Sequence, residues 1–469
     1  SPYLNGLFEG NYRMAILETN RGCPFRCGFC FWGAATNDRV FKFDPERSKE
    51  EITEISKAGI PFLYIADANW GMLKRDIEIS KHIAECNRQY GSPVFIFFSA
   101  AKNSPERVTQ ITEIFTKAGL MNQQPISMQS LNEKTLEYVE RKNIKLDAYR
   151  TLQDELNEKG ISSFIELIWP LPGETLETFK AGMETLMERN AANIMVYPHI
   201  LLNNTPLSKK REEYQFATKI IDDGIAESEV VVQTAQVTED DFENGMWFYY
   251  SFLALYHTRT VPNLIRYLHE NDIMRIADFF SGFTNWAKKH PRTAFTRFCE
   301  RSIIDAQYYD ITNYSMVYFS VLHKKRTEFA ELLYGYVSSQ DWWQDGHARF
   351  LFELDMLNRP FIYGNTSNQK PTRPNEFLKI KDASELSYTI EVDSKYLLKL
   401  TEIQKQNLSL ESLQNSSAVF RVNHKKGQLL FMKNRSKRSV SDYCNGKIHN
   451  IKKIMPTWEE VGAEQSVLG

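Results

Sequence analysis

Three cysteines within eight residues are the part of the chain best suited to chemistry. Cys23, Cys27 and Cys30 lie in the string Cys-Pro-Phe-Arg-Cys-Gly-Phe-Cys, which has C-x3-C-x2-C spacing. Three thiolates from one short loop can hold three irons of a [4Fe-4S] cluster, and the fourth iron is then open to a small molecule. The spacing therefore predicts a catalytic iron-sulfur site with one exchangeable iron position.

Other uses of the three cysteines fit this spacing less well. A structural zinc site needs four ligands, usually as two separated pairs, and the later pair His82 and Cys86 lies within a predicted helix. Ferredoxins that only transfer electrons use four cysteines with C-x2-C-x2-C spacing. Zinc, a redox disulfide and coincidence stay open as weaker alternatives. Cys86, Cys299 and Cys444 are far apart in sequence and receive no function.

The cysteine segment resembles that of the radical S-adenosylmethionine (SAM) superfamily, in which an aromatic residue, here Phe29, precedes the last cysteine. The resemblance implies that the open iron binds the amino and carboxylate groups of SAM. It also implies that the reduced cluster cleaves SAM to a 5'-deoxyadenosyl radical. The strings Glu18-Thr-Asn-Arg-Gly-Cys-Pro-Phe-Arg-Cys27 and Ser1-Pro-Tyr-Leu-Asn-Gly-Leu-Phe8 resemble the branch that carries a cobalamin-binding domain before the barrel.

Composition and charge are ordinary for a globular protein of two or three domains. The 469 residues include 57 Lys plus Arg and 59 Asp plus Glu, so no overall charge favours a nucleic acid or an acidic membrane as partner. No apolar run reaches the length of a membrane span, and no secretory leader opens the sequence. Because an iron-sulfur triplet needs reduced thiols, we expect a cytoplasmic protein.

Six apolar, β-branched or aromatic runs predict the buried strands that must position this chemistry. They cover residues 13–19, 62–66, 94–98, 126–129, 164–168 and 194–197. Amphipathic helical patterns separate them, and the string Ser48-Lys-Glu-Glu51 predicts a capping box at the start of one helix. Six successive βα units predict an α/β fold with a partial, open (β/α)6 barrel, which also resembles the radical SAM core.

Polar residues after the second and third predicted strands should lie beside the cysteine loop, because the active site of a βα barrel lies at the carboxyl ends of its strands. By the resemblance, Asp67 and Asn69 are candidate acceptors for the SAM amino group, and a helix N-cap is the alternative. Ser99 and Asn103 are expected to face the cofactor. Asn103-Ser104 would also serve as a helix cap.

The fourth and fifth predicted strands supply further candidates. Gln129, in Ser127-Met-Gln-Ser130, and Arg141 resemble family positions that contact the ribose and the carboxylate of SAM, and a planar guanidinium suits a carboxylate. A solvated arginine at a helix end is the alternative for Arg141. Glu166 is acidic within an apolar strand and is predicted to point into the barrel, where it would contact SAM or brace basic side chains.

His199 follows the sixth predicted strand and is the one candidate for a catalytic side chain. The resemblance implies that this segment closes the cofactor pocket, so His199 could contact substrate or donate a proton. An unperturbed histidine titrates close to neutral pH, which suits that task. A structural histidine with no catalytic part is the alternative.

The rest of the chain predicts two regions after the barrel. We expect a connector at 1–12, the radical SAM core at 13–215, a mainly helical region at 216–349 and a small α+β appendage at 350–469. Dense aromatic residues in the helical region are predicted to form core, with a substrate channel as the alternative. In the appendage, residues 386–392 alternate as a strand, and 418–423 with 428–432 predict a hairpin. The basic run 425–438 predicts a solvated surface rather than a nucleic-acid site.

A cobalamin site is not supported by the residues at hand. In many cobalamin proteins an Asp-x-His-x-x-Gly string supplies the lower ligand, and the nearest match, Asp345-Gly-His-Ala-Arg-Phe350, lacks the glycine. No doubly wound domain precedes the predicted barrel, and Ser1 lies within what resembles an interdomain connector. Cobalamin is therefore expected only with a missing upstream domain.

These features together predict a radical SAM enzyme that removes hydrogen from an organic small-molecule or sugar-type substrate. A reducing donor such as flavodoxin or ferredoxin would supply its electrons. The cobalamin branch implies C-methylation in polysaccharide or natural-product biosynthesis. Cobalamin-independent dehydration, epimerisation or rearrangement is the alternative reaction. A non-catalytic iron-sulfur redox or sensor protein is the alternative of another class, and it predicts four protein ligands per cluster and no SAM cleavage.

Overall fold

The structure is a computed structural model. It describes residues 1–461 apart from 8–9, 103, 122, 144–145, 192, 223–226, 308–309, 362–375, 384–386, 405–416, 426–436 and 450. The chain divides into two compact units, Ser1–Gly245 and Met246–Gly469. The predicted division into four regions, with boundaries after residues 12, 215 and 349, stays a prediction.

The strands of the first unit include one at each of the six predicted runs. They are β1 Met14–Leu17, β2 Asn20–Arg21, β3 Phe41–Lys42, β4 Phe62–Trp70, β5 Phe95–Ala100, β6 Gln123–Gln129, β7 Ser162–Trp169, β8 Asn193–Pro198, β9 Ala217–Asp222 and β10 Glu227–Gln233. Two parallel sheets have the orders β1-β4-β5 and β6-β7-β8, and two antiparallel pairs join β2 with β3 and β9 with β10. The predicted α/β fold with parallel strands is confirmed.

Helices connect these strands in the predicted βα rhythm. They are α1 Pro45–Lys57, α2 Arg75–Tyr90, α3 Pro105–Lys117, α4 Glu133–Tyr138, α5 Leu146–Glu158, α6 Leu176–Glu188 and α7 Pro206–Lys209, with a 3-10 turn at Ala34–Thr36. The capping box predicted at Ser48 was wrong, because that residue lies inside α1. Asp44 is the N-cap and accepts from the backbone N–H of Glu46 at 2.9 Å, and Pro45 presets the helical φ just after it.

Strand alternation divides the first sheet into a packed face and an interior face. Leu63, Ile65, Ile96 and Phe98 are buried on the packed face. Their core also contains apolar residues of the three neighbouring helices, namely Ile52, Ile55, Ile79, Ile83, Ile111 and Phe115. The alternate residues of the same strands therefore face the barrel interior.

Helices follow β10, and the first of them begins in the first unit and ends in the second. The helical elements after β10 are α8 Glu239–Phe252, a π-helical turn at Leu253–His257, α9 Pro262–Glu270, α10 Ile276–Lys288, α11 Ala294–Ile304, α12 Ile311–Phe319, a π-helical turn at Ser320–Lys324, α13 Arg326–Ser338, a 3-10 turn at Asp341–Gln344 and α14 Gly346–Asn358. The aromatic side chains Phe248, Tyr249, Tyr250 and Phe252 are all buried, as expected for a packed core.

A four-stranded antiparallel sheet completes the second unit. Its strands, in spatial order, are β11 Leu378–Ala383, β12 Ser387–Asp393, β13 Ser417–Asn423 and β14 Thr457–Glu460. The helical elements here are α15 Ser394–Gln404, α16 Lys437–His449 and a 3-10 turn at Ile451–Lys453. The predicted strand at 428–432 lies outside the described residues, and β13 pairs with β12 and β14.

No helix in the described part of the chain combines the length and apolar character needed to cross a membrane. The cytoplasmic location stays a prediction.

Candidate active site

The three cysteines open onto one cavity at the carboxyl ends of the parallel strands. Cys23 and Cys27 are buried and Cys30 is half-buried. The cavity has a volume of about 230 Å³. Other residues that line it include Phe25, Phe29, Trp32, Asp67, Asn69, Ser99, Lys102, Ser127, Gln129, Arg141 and Glu166. The fold thus brings the cysteines together with Phe29 and the described candidates for cofactor binding, namely Asp67, Asn69, Ser99, Gln129, Arg141 and Glu166.

Backbone contacts hold the cysteine loop at its centre. The N–H of Gly28 donates to the carbonyl of Val139 at 2.8 Å, and the N–H of Leu207 donates to the carbonyl of Gly28 at 3.0 Å. A Cβ atom at Gly28 would lie 3.3 Å from Leu207 Cγ and 3.4 Å from Val139 Cα. A glycine between Cys27 and Cys30 therefore lets the loop pack against the end of α4 and the start of α7.

Asp67 ties the segment before the cysteines to β4. Its Oδ1 accepts from the N–H of Thr19 at 2.7 Å and of Asn20 at 3.3 Å, and its Oδ2 accepts from the Thr19 hydroxyl and the Asn20 amide. Burial raises the pKa of Asp67, and these hydrogen bonds oppose the rise. The alternative of a helix N-cap at Asp67 is wrong because β4 continues to Trp70, beyond this residue. Both carboxylate oxygens are engaged by the chain leading to Cys23.

Two of the three sulfurs lie next to neutral N–H donors. The amide nitrogen of Asn69 donates to Cys23 Sγ at 3.1 Å. Burial raises the pKa of the Cys30 thiol, and a hydrogen bond from the backbone N–H of Trp32 partly opposes that rise. The predicted Asn69 therefore contacts a cysteine sulfur directly through its amide nitrogen.

The third sulfur, that of Cys27, lies next to two cationic donors. Lys102 Nζ is 3.5 Å away and Arg141 Nη1 is 3.7 Å away. Burial lowers the pKa of Lys102, and the nearby Arg141 lowers it further. The Lys102 ammonium also lies 4.4 Å from the centroid of the Phe25 ring, which is cation–π geometry.

Arg141 is held rigidly in the cavity wall. Its side chain donates to the carbonyl of Ser127 and, from Nε at 2.9 Å, to Asn143 Oδ1. Asn143 is itself fixed by donating to the carbonyl of Met128 at 2.6 Å and to that of Ser130 at 2.8 Å. Because Arg141 is only 9 % exposed, the alternative of a solvated helix-end arginine is wrong.

Three predicted SAM-binding residues line the cavity from the strands themselves. Glu166 on β7 accepts from the Ser127 hydroxyl on β6. Burial raises the pKa of Glu166, while Ser127 and the charge of Arg141 oppose the rise. Gln129 ends β6 with a φ of 66°, and Ser99 lies near the end of β5. The predicted contacts of these residues with SAM stay predictions.

His199 does not lie among the residues that line the cavity. It is buried, its Nδ1 is 3.0 Å from the carbonyl of Pro170, and its ring lies edge-on to Phe216 at 5.6 Å. Burial lowers its pKa to about 4, so the imidazole is neutral at physiological pH. These surroundings favour the structural alternative for His199, and its part in catalysis stays a prediction. Asn103 lies outside the described residues.

Lys102 and Ser127 are site residues to which the sequence reasoning gave no role. Lys102 follows the small residues Ser99-Ala-Ala at the carboxyl end of β5. A lysine at the carboxyl end of a barrel strand was the available signal. Ser127 stood in the predicted strand as an ordinary polar residue, and its role became visible only once β6 was paired with β7.

The donor set of the cavity fits a [4Fe-4S] cluster with three protein ligands. Three thiols face one space, each has an N–H donor close to its sulfur, and two cations balance the charge of thiolates. Among the described residues that line the cavity there is no fourth cysteine and no histidine. A cluster held by these three cysteines would have one iron without a ligand from the described residues that line the cavity.

Comparison with known families agrees with this site. Residues 17–186 match the radical SAM superfamily. The match confirms the predicted resemblance to that superfamily, which uses a [4Fe-4S] cluster and SAM, over this part of the chain. The two predicted cofactors, a [4Fe-4S] cluster and SAM, are those of the matched superfamily.

Two curated relatives are methyltransferases. The chain is 32% identical over 315 residues to the cobalamin-dependent radical SAM methyltransferase TokK of Streptomyces tokunonensis, covering 62% of this chain and 46% of that protein. It is 31% identical, with the same coverage, to the 2-(S-pantetheinyl)-carbapenam-3-carboxylate methyltransferase of Streptantibioticus cattleyicolor. The chain thus spans about half the length of these relatives.

Among solved structures, the radical SAM methyltransferase TsrM from Kitasatospora setae is similar over part of the chain. The TM-score is 0.37 with 16% identity, covering 45% of this chain and 42% of that chain. A likeness of this size carries no argument about function.

Proposed function

We propose that this chain is the radical SAM part of a methyltransferase that acts on a carbon atom of a small organic substrate. The observation that carries the proposal is the cavity in which Cys23, Cys27 and Cys30 face Arg141 and Glu166. Methyl transfer is supported by two relatives that are named as methyltransferases and that match this chain over 315 residues. The proposal names a reaction class and leaves the acceptor molecule open.

Cys23, Cys27 and Cys30 would hold the cluster, which together with SAM supplies a radical able to remove hydrogen from an unactivated carbon. The protein itself holds the three cysteine sulfurs in position. Asp67 holds the approach to Cys23, and the Gly28 backbone holds the loop between Cys27 and Cys30. Because these anchors are buried, the loop is positioned before any ligand binds.

Arg141 is placed to bind the carboxylate of SAM. Its guanidinium is planar, almost fully buried and already oriented by Ser127 and Asn143, so little side-chain entropy is lost on binding. A carboxylate bound there would lie close to Cys27. That location fits a ligand that also reaches the open iron.

Asn69 and Glu166 supply acceptors for the cationic and hydroxyl groups of SAM. The amide nitrogen of Asn69 donates to Cys23, which leaves its oxygen as an acceptor for the SAM ammonium. Glu166 orients Ser127 and contributes negative charge opposite Arg141. Gln129 and Ser99 extend the polar wall, and we assign Gln129 to the ribose.

No residue of this chain is assigned to cobalamin. The string beginning at Asp345 starts α14, where the Asp345 carboxylate accepts from the N–H of His347 at 2.9 Å as an N-cap. This helix-capping geometry does not fit a lower-ligand segment, so we derive no step through cobalamin. This chain covers less than half of the length of the relative that is named cobalamin-dependent.

The substrate we propose is a small natural-product acid rather than a polysaccharide. One relative is named for methylation of a carbapenam carboxylate, a small molecule with a negative charge. An electron donor such as flavodoxin or ferredoxin belongs to the same proposal.

The decisive experiment is anaerobic reconstitution with iron and sulfide, reduction, and addition of SAM with a trideuterated methyl group. Mass spectrometry then measures 5'-deoxyadenosine and any label transferred to carbapenam-type carboxylic acids, with and without added cobalamin. We expect 5'-deoxyadenosine from the reduced, loaded protein. A fully loaded and reduced cluster that never cleaves SAM would overturn the proposal and favour a redox or sensor protein. SAM cleavage with no methyl transfer to any acceptor would favour cobalamin-independent radical chemistry.

A further inference from the structure

The three cysteine sulfurs differ in the charge of their neighbours. Cys23 accepts from the neutral amide of Asn69 at 3.1 Å, and the neutral backbone N–H of Trp32 favours the thiolate form of Cys30. Cys27 lies 3.5 Å from the Lys102 ammonium and 3.7 Å from the Arg141 guanidinium. Cys27 is therefore the sulfur with both cations within 3.7 Å, while Lys102 also interacts electrostatically with Cys23 and Arg141 with Cys30.

Arg141 and Lys102 are held in this position differently. Arg141 is fixed by its hydrogen bonds to Ser127 and Asn143 and is placed for the carboxylate of SAM. Lys102 has no ion pair with a carboxylate among the residues that the structure describes. Its ammonium instead lies between Cys27 Sγ and the face of the Phe25 ring, 4.4 Å from the ring centroid.

A cation in that position has a definite electrostatic effect on a cluster bound to Cys27. Reduction adds one negative charge to the cluster, and a positive charge within a few ångströms stabilises the reduced form more than the oxidised form. Hydrogen bonds to ligand sulfurs and the net charge nearby are two of the factors that set iron-sulfur reduction potentials. The low dielectric of a buried site increases both effects.

We propose that Lys102 is a positioning residue that raises the reduction potential of the cluster through the sulfur of Cys27. The inference rests on the proposed function, because it requires the cluster on the three cysteines. Lys102 makes the cluster easier to reduce, so a weaker electron donor suffices for the first step of the reaction.

The test is an EPR-monitored redox titration of the reconstituted chain without SAM. Lys102→Met removes both the charge and the donor, Lys102→Gln keeps a neutral donor, and Lys102→Arg keeps the charge. Lys117→Met is the matched control, because its side chain lies on α3 and is 82% exposed. We expect a more negative midpoint potential for Lys102→Met, a smaller shift in the same direction for Lys102→Gln, and wild-type values for Lys102→Arg and Lys117→Met.

Iron and sulfide content is measured first on every sample. This measurement distinguishes a failure of the proposed function from a failure of the role proposed for Lys102. A wild-type chain that binds no cluster contradicts the proposed function itself. Fully loaded Lys102→Met and Lys102→Gln proteins with wild-type midpoints overturn the role of Lys102 and leave the proposed function intact. Loss of iron from both neutral variants also overturns it, since Lys102 would then be needed to build the site and not to tune it.

Discussion

The two parallel sheets of the first unit contribute different chemistry to one cavity. The sheet β1-β4-β5 supplies Asp67 and Asn69, which hold the cysteine segment and contact a ligand sulfur. The sheet β6-β7-β8 supplies Ser127 and Glu166 and positions Arg141, which together form a charged wall. The difference supports the proposal that the first sheet mainly anchors the cluster site, with Asn69 also facing SAM, and that the second sheet positions Arg141 for the SAM carboxylate. Variants on the two sheets should therefore separate cluster loading from SAM binding.

The largest expected effect comes from the cysteine loop that both sheets face. Cys27→Ala should abolish the [4Fe-4S] cluster and all SAM cleavage, because it removes one of three protein ligands. Iron analysis, the visible absorption spectrum and 5'-deoxyadenosine formation measure this. Cys86→Ala is the matched control, since Cys86 is also buried but lies on α2 beside Thr53 and His82. A Cys27→Ala protein with a full cluster would refute the ligand assignment.

A change on the first sheet should damage stability and cluster loading together. Asp67→Ala leaves four buried or partly buried donors of Thr19 and Asn20 without their acceptor, and we expect a loss of about 3 kcal/mol in the free energy of unfolding. Denaturant titration and iron content after reconstitution check this. Arg26→Ala is the control from the same loop, because the Arg26 side chain is 74% exposed and its pair with Asp38 contributes at most about 1 kcal/mol. Equal effects of the two changes would contradict the anchoring role of Asp67.

The corresponding change beside the second sheet should affect SAM and spare the cluster. Arg141→Ala should retain iron but bind SAM at least about tenfold more weakly, which is about 1.4 kcal/mol, because it removes the guanidinium that faces the carboxylate. Equilibrium binding of SAM to the reconstituted protein measures the effect, with Arg141→Lys as the variant that keeps the charge. Loss of iron with unchanged SAM affinity would contradict the different roles proposed for the two sheets.

The smallest expected effect is a pH dependence of stability. It comes from the carboxyl group of Glu174, which follows β7 in the chain. Glu174 is buried and accepts from the Ser130 hydroxyl at 2.9 Å, and burial raises its pKa to about 8. A raised folded-state pKa means that the folded chain binds more protons than the unfolded chain between the two pKa values. This contribution to stability is therefore complete at acidic pH and is lost as pH rises through about 8.

We expect the unfolding free energy of the wild type to fall by about 1 kcal/mol between pH 7 and pH 9 relative to Glu174→Gln, which has no such titration. Denaturant titrations of both proteins at each pH measure the difference. Parallel pH profiles would show that Glu174 does not titrate in this range.

Much of the fold of the first unit could be predicted from the sequence because apolar runs and amphipathic spacing are local patterns. Apolar runs and amphipathic spacing located the six parallel strands, and strand ends of a βα barrel must meet at one edge. The helix start at Asp44 was missed because Ser48 and Glu51 also match a capping pattern. The choice between two caps four residues apart depends on where the preceding chain turns, and the sequence does not state this directly.

The sequence by itself determined the cysteine triplet, since Cys23, Cys27 and Cys30 are close along the chain and their spacing alone restricts the metal site. Tertiary structure decided which residues surround the sulfurs. Arg141 is 114 residues from Cys27 and Lys102 is 75 residues from it, and folding removed His199 from the cavity by burying it beside Pro170. The physical reason is that ligand spacing is a property of one loop. The charge and hydrogen bonds at a sulfur depend instead on side chains from several strands, which meet only after the sheets pack.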